Sequence, residues 1–107
     1  MRRAVIVLSA ALLAFTTPPA AEAAPKTHRV VIDKMKFGPV PAGLRAGDTI
    51  LWVNRDMFRH TATARDKSFN IVLAPSASGR TTLIRAGAVA FRCIYHPGMK
   101  GQLKVAK

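Results

Sequence analysis

Residues 93–99 carry a thiol, an imidazole and a thioether, as Cys93, His96 and Met99 in the spacing C-x2-H-x2-M. Thiolate and thioether sulfurs beside imidazole select copper, and zinc gains little from a methionine. Pro97 and Gly98 stand between His96 and Met99. Proline presets φ at the second position of a type II turn, and glycine supplies the positive φ at the third. Such a turn holds the Cα atoms of His96 and Met99 within about 7 Å of each other. Two imidazoles, one thiolate and a weak axial thioether make a one-electron copper site. That set needs a second histidine, and His60 supplies it from 33 residues upstream of Cys93. A lone cysteine is more often a small buried hydrophobe. Met99 in register and His60 upstream tip the balance toward a metal.

The elements that must position these groups read as strands. Val89, Phe91 and Cys93 alternate with polar or small residues, one face of a strand that ends on the thiol. His28 to Lys34 alternates around Val30 and Ile32, and Met35 to Phe37 carry it toward a turn at Gly38-Pro39. Pro41 to Arg45 suits a short edge strand, because a proline lacks the ladder donor. Thr49 to Asn54 puts Ile50 and Trp52 on one face, and His60 to Arg65 is a threonine-rich strand that opens on the second histidine. Ser68 to Leu73 follows, then a loop over Ala74 to Gly79, then strands at Arg80 to Arg85, Ala88 to Tyr95 and Gly101 to Ala106. Seven or so short strands with regular turn signals, and no sustained helical period, predict an all-β antiparallel sandwich of two sheets. Asn54 is placed to pin the link that carries His60. His28 reads as a solvated surface histidine, and Met57 with Phe58 as an exposed apolar patch.

Composition bounds the setting. Arg2 and Arg3, an apolar run from Ala4 to Phe15 and Ala21-Glu22-Ala23 match a cleavable signal peptide over residues 1–23. The run is too short to span a bilayer, which takes ~20 apolar residues. Residues 24–107 then form one domain of 84 residues, exported to the periplasm. A domain this small has a thin stability margin, which exported domains usually widen with disulfides. The single cysteine forbids an internal one. A metal bond both occupies that thiol and stabilises the native state. Residues 24–107 keep 15 of the 17 basic and four of the five acidic side chains, a net charge of +11. With an export signal and no nucleic-acid motif, that charge points to an acidic protein partner, with weak contact to an anionic membrane surface as a second use. No nucleic acid is expected as a partner, and a monomer is expected.

Taken together, these residues resemble the cupredoxins, the type 1 blue copper proteins, and most closely their small amicyanin-like and plastocyanin-like members. The resemblance runs over nearly all of residues 30–105. It is carried by Asp33 to Phe37, Gly47 to Arg55, His60, Phe69 to Pro75 and above all Phe91 to Gly101, whose short ligand spacing is that of amicyanin. It implies an eight-stranded Greek-key β-sandwich with His60, Cys93 and His96 as equatorial copper ligands and Met99 as the axial one. It implies electron exchange through the outward edge of His96. Arg59 and Thr61 stand where the family usually has Pro and Asn around the first ligand, so the usual Asn hydrogen bonds are replaced. The expected function is a periplasmic one-electron carrier, one copper per chain cycling between Cu(II) and Cu(I), and not an enzyme. The alternatives are a copper-delivery protein without redox turnover and a thiol enzyme using Cys93.

Overall fold

The computed structural model describes residues 3–7, 9–14 and 24–107, so the expected cleavage site at 21–23 lies outside the described residues. The described residues hold nine strands: β1 (Thr27–Asp33), β2 (Lys36–Phe37), β3 (Leu44–Arg45), β4 (Thr49–Asn54), β5 (His60–Ala64), β6 (Asn70–Leu73), β7 (Ser78–Thr82), β8 (Gly87–Arg92) and β9 (Lys100–Ala106). They form a four-stranded sheet ordered β2-β1-β4-β7 and a five-stranded sheet ordered β3-β9-β8-β5-β6.

Alternation decides which side chains enter the space between the sheets. In β4 every second residue is buried, which sends Ile50, Trp52 and Asn54 inward. Val30 and Ile32 of β1, Val89 and Phe91 of β8, and Leu103 and Val105 of β9 do the same. Phe37, Trp52 and Phe91 meet edge to face, with centroids 4.8–6.0 Å apart. Such pairs add about 0.5–1.5 kcal/mol each beyond area burial. The indole Nε1–H of Trp52 donates to Thr81 Oγ1 at 2.8 Å, so the largest core residue leaves no polar atom unpaired.

The sandwich is the expected one, with nine strands where seven or so were expected and eight implied by the resemblance. β3 is cut to Leu44–Arg45, β8 ends at Arg92, and the fold differs further as follows. β1 and β4 pair in parallel, as do β3 and β9, because β3 lies in the opposite sheet and the chain returns to β1 in the same sense. The first hairpin turns at Lys34-Met35 and not at Gly38-Pro39. Both residues are left-handed, with φ of 51° and 61°. Two successive positive φ values match a type I′ hairpin, which usually takes Asn or Gly. β7 begins at Ser78, inside the expected loop, and ends at Thr82. A Cβ at Gly79 would meet the end of the Ile71 side chain, which would have to turn aside. Finally, His28 is not solvated. It is half-buried, and its Nε2 lies 2.8 Å from Asp48 Oδ2.

Candidate metal centre

One end of the sandwich gathers the sequence-predicted donors. His60 is the first residue of β5, and Cys93 follows directly on β8. The loop from Cys93 to Met99 is closed by two backbone bonds, Met99 N–H to His96 O at 2.9 Å and Cys93 N–H to Met99 O at 3.0 Å. The first makes residues 96–99 a hydrogen-bonded turn, as expected, but Gly98 does not take the positive φ of a type II turn. Pro97 alone suffices, because a type I turn also favours proline at its second position.

The three donor atoms converge. His60 Nδ1 and His96 Nδ1 are 3.3 Å apart, and Cys93 Sγ lies 3.8 Å from the first and 3.5 Å from the second. Metal–nitrogen and metal–sulfur bonds run about 2.0–2.3 Å, so a cation inside a trigonal set spaces its donors by roughly 3.5–4 Å. The triangle therefore fits one metal ion with little movement. His60 and Cys93 are fully buried, whereas His96 is half-buried and stands at the surface side of the group. Met99 is buried at 5% exposure and held to His96 and Cys93 through its backbone.

Asp56 orients the buried imidazole, and sequence reasoning passed over it as part of an irregular link. Its Oδ2 lies 2.7 Å from His60 Nε2. With the Nε2 proton given to that carboxylate, the Nδ1 lone pair is left facing Cys93 and His96. The same carboxylate accepts the backbone N–H groups of Lys34 at 2.7 Å and Met35 at 2.9 Å. Those are the two left-handed residues of the first hairpin. Successive N–H groups in such a turn form an anion-binding concavity, which compensates the strain of non-glycine residues with φ above zero. Burial pushes the Asp56 carboxyl up, but the Met35, His60 and Lys34 donors outweigh it and hold it below the usual carboxylate range. The signal in the sequence is an acid four residues before the candidate ligand, in a chain with only five acids.

Asn54 pins the link between β4 and β5, as its position suggested. Its Oδ1 accepts the Asp56 N–H at 2.9 Å, and its amide nitrogen faces the carbonyls of Phe58 at 2.8 Å and of Leu73 and Ala74 at 3.2 Å. Thr61 of β5 ties that strand to the segment just after β8. Its N–H points at Cys93 Sγ at 3.3 Å, and its hydroxyl accepts the Ile94 N–H at 2.9 Å. Phe58, more than half exposed, packs edge to face on His96 with centroids 6.5 Å apart, and Met57 beside it is 88% exposed.

No family model matches the chain, and no curated protein sequence does. Solved structures do. The copper(I) form of an amicyanin mutant is 26% identical, with a TM-score of 0.65 over 79% of this chain and 87% of that one. A second reduced amicyanin mutant, in its copper(I) form at acid pH, is 26% identical with a TM-score of 0.61 over 81% and 86%. A reduced tryptophan mutant of amicyanin gives 25% identity and 0.63 over 79% and 87%. With two packed sheets and a His60, Cys93 and His96 group that fits one copper ion, the chain has the cupredoxin fold and is amicyanin-like.

Proposed function

We propose that the chain is a type 1 copper protein that carries single electrons between partner proteins in the periplasm, without catalysing a reaction of its own. The observation that carries this is the triangle of His60 Nδ1, His96 Nδ1 and Cys93 Sγ, with the far nitrogen of His60 already committed to Asp56. In this reading His60, Cys93 and His96, with Met99 beside them, would hold the copper. Residues 1–23 are a signal peptide and residues 24–107 the copper domain.

Copper bound there supplies a one-electron couple between Cu(II) and Cu(I). The chain's own contribution is to keep the donors in place through both states. His60 is fixed by Asp56, and Cys93 is fixed by the Thr61 N–H and by the Ile94–Thr61 bond. Full burial of Cys93 and His60 keeps water from the sulfur and from one imidazole. His96 alone reaches toward the surface, beside exposed Phe58, so an electron enters or leaves through its edge. The net positive charge of residues 24–107 favours a partner with an acidic surface.

The test is spectroscopic. Adding Cu(II) to the purified protein is expected to give an intense blue thiolate-to-copper band. Cys93→Ser is expected to abolish that band while the far-ultraviolet β-sheet signal persists. A colourless complex in the parent protein would refute the type 1 assignment.

A further inference from the structure

Three lysines and a bare isoleucine share the end of the sandwich farthest from the donors. β1, β4 and β8 start there, and β5, β7 and β9 finish there. At about 3.3 Å per residue, β4 and β9 set that end roughly 20 Å from the donor triangle. The turn from Arg45 to Asp48 is its hub. Ala46 N–H donates to Ala106 O at 2.8 Å, Gly47 N–H to Leu83 O at 2.7 Å and Thr49 N–H to Lys26 O at 2.9 Å. These bonds bring Lys26, Lys107 and the exposed Ile84-Arg85 segment around one turn. Arg85 reaches across to Asp66 at 3.7 Å, which adds the exposed Lys67 to the group. Little negative charge is left open here. Asp48 is buried on the N–H groups of Lys26 and Arg45 and on His28, and Asp66 is shared between Arg85 and the Ser68 N–H. Among the described residues no side-chain carboxylate lies within 4.0 Å of the ammonium groups of Lys26, Lys67 or Lys107. Ile84 stands beside them at 66% exposure.

We propose that this end seats on an anionic bilayer, with Lys26, Lys67 and Lys107 over the headgroups and Ile84 inserted between them. This rests on the reading of an exported electron carrier and gives that carrier an orientation. His96, at the opposite end, then faces away from the membrane and stays free for a partner protein. The choice of a bilayer over an acidic protein follows from which cations are open. A protein carboxylate is best met by a guanidinium fork. Both arginines at this hub are already committed, Arg45 Nη2 to Lys107 O at 3.0 Å and Arg85 to Asp66. The open charges are lysines, point charges that need no fixed geometry and act on the summed potential of a lipid surface. An apolar side chain set among them suits the boundary between headgroups and acyl chains. The sequence points the same way, because the apolar run of residues 4–15 leads into β1 at this end. Export through a membrane therefore brings this end to the bilayer.

The test takes the copper-loaded protein in its processed form, recovered from the periplasm, and sediments it with vesicles at low salt. Phosphatidylcholine vesicles carrying phosphatidylglycerol should bind it, and phosphatidylcholine alone should not. Lys26→Gln, Lys67→Gln and Lys107→Gln should each weaken partition about fivefold, the worth of one basic side chain at an anionic surface. The triple variant should lose about 100-fold. Ile84→Ser, which leaves the charge unchanged, should cost about threefold to tenfold through lost apolar burial. Lys36→Gln and Lys100→Gln, at the donor end, remove the same charge and should stay within about twofold. Equal losses from the two ends would overturn the proposal, since the vesicles would then read net charge alone. So would an oligoglutamate peptide that responds to the three lysine substitutions while the vesicles do not. The blue band judges the carrier reading and the vesicles judge the membrane seat, so either can fall alone.

Discussion

Two histidine–aspartate pairs sit at opposite ends of β4, and they use one device for different ends. Asp48, just before β4, lies 2.8 Å from His28 Nε2 and accepts the backbone N–H groups of Lys26 and Arg45. Asp56, just after β4, lies 2.7 Å from His60 Nε2 and accepts those of Lys34 and Met35. Each carboxylate is a buried staple that gathers chain segments and holds an imidazole by the same ring nitrogen. Only the second imidazole has a thiolate and another imidazole waiting at its other nitrogen. A carboxylate-bound histidine is thus scaffolding, and it joins a candidate metal site only where β8 delivers Cys93 and the following loop delivers His96.

The sharpest way to break that contrast is Asp56→Ala. It leaves the N–H groups of Lys34 and Met35 without an acceptor in a left-handed turn and frees His60 to rotate or change tautomer. A loss on the order of 1–2 kcal/mol in the copper-free protein is expected from two part-buried N–H groups left without an acceptor. Copper affinity should also fall about 10- to 100-fold, the usual cost of removing a histidine's carboxylate partner. Denaturant unfolding and a competitive copper titration check the two parts. If stability falls and affinity holds, Asp56 is a staple like Asp48 and no more.

Thr61→Val tests what the other end lacks, a tie between β5 and the segment after β8. The substitution keeps the shape and the Thr61 N–H toward Cys93 Sγ but strands the Ile94 N–H. About 1–3 kcal/mol of stability should go. Thr61→Ser should restore most of it.

Asp48 marks its own end through pH. The Lys26 N–H, then His28, hold its carboxyl down at about 2, against an ordinary 3.8. A depressed acid contributes stability that is complete above its unfolded value and is lost as pH falls through the folded one. The copper-free protein should therefore weaken between about pH 4 and pH 2, and Asp48→Asn should flatten part of that slope. Copper binding at neutral pH should be untouched by Asp48→Asn. A matching loss of copper would mean that the two ends of the sandwich are coupled.

Much of this was legible before any coordinates, and what was hidden shares a cause. Cys93, His96 and Met99 lie within seven residues, and alternation in β4 and β8 sets which faces are buried, so local pattern sufficed for the core and for the closeness of the three side chains, though not for the turn type. His60 needed chemistry as a guide, because only a two-imidazole set completes a copper site. Asp56 and the Lys34-Met35 turn were illegible for the same reason: each exists because of the other, across 21–22 residues of chain. Lys-Met is a poor type I′ turn by propensity, and it becomes the right one once a carboxylate accepts both N–H groups. The parallel β1–β4 pairing was hidden likewise, since alternation records faces and not strand direction. His28 looked solvated because its partner lies 20 positions away.

The two glycines flanking Met99 give the smallest effect and a check on the loop itself. Gly101 faces Phe91 across the sheet, and any Cβ there would run into the ring. Gly98 has nothing within 4 Å of where a Cβ would stand, and its φ is not left-handed. The turn expected from sequence needed glycine at position 98; the turn observed does not. Gly98→Ala should therefore shift stability by no more than about 0.5 kcal/mol, as an unstrained surface substitution does. The blue band should stay in place. A loss of 1 kcal/mol or more by thermal unfolding would mean that the loop relaxes to a type II turn in solution. In that case the 2.9 Å bond from Met99 N–H to His96 O belongs to a different bend, and the seat of Met99 must be redrawn with it.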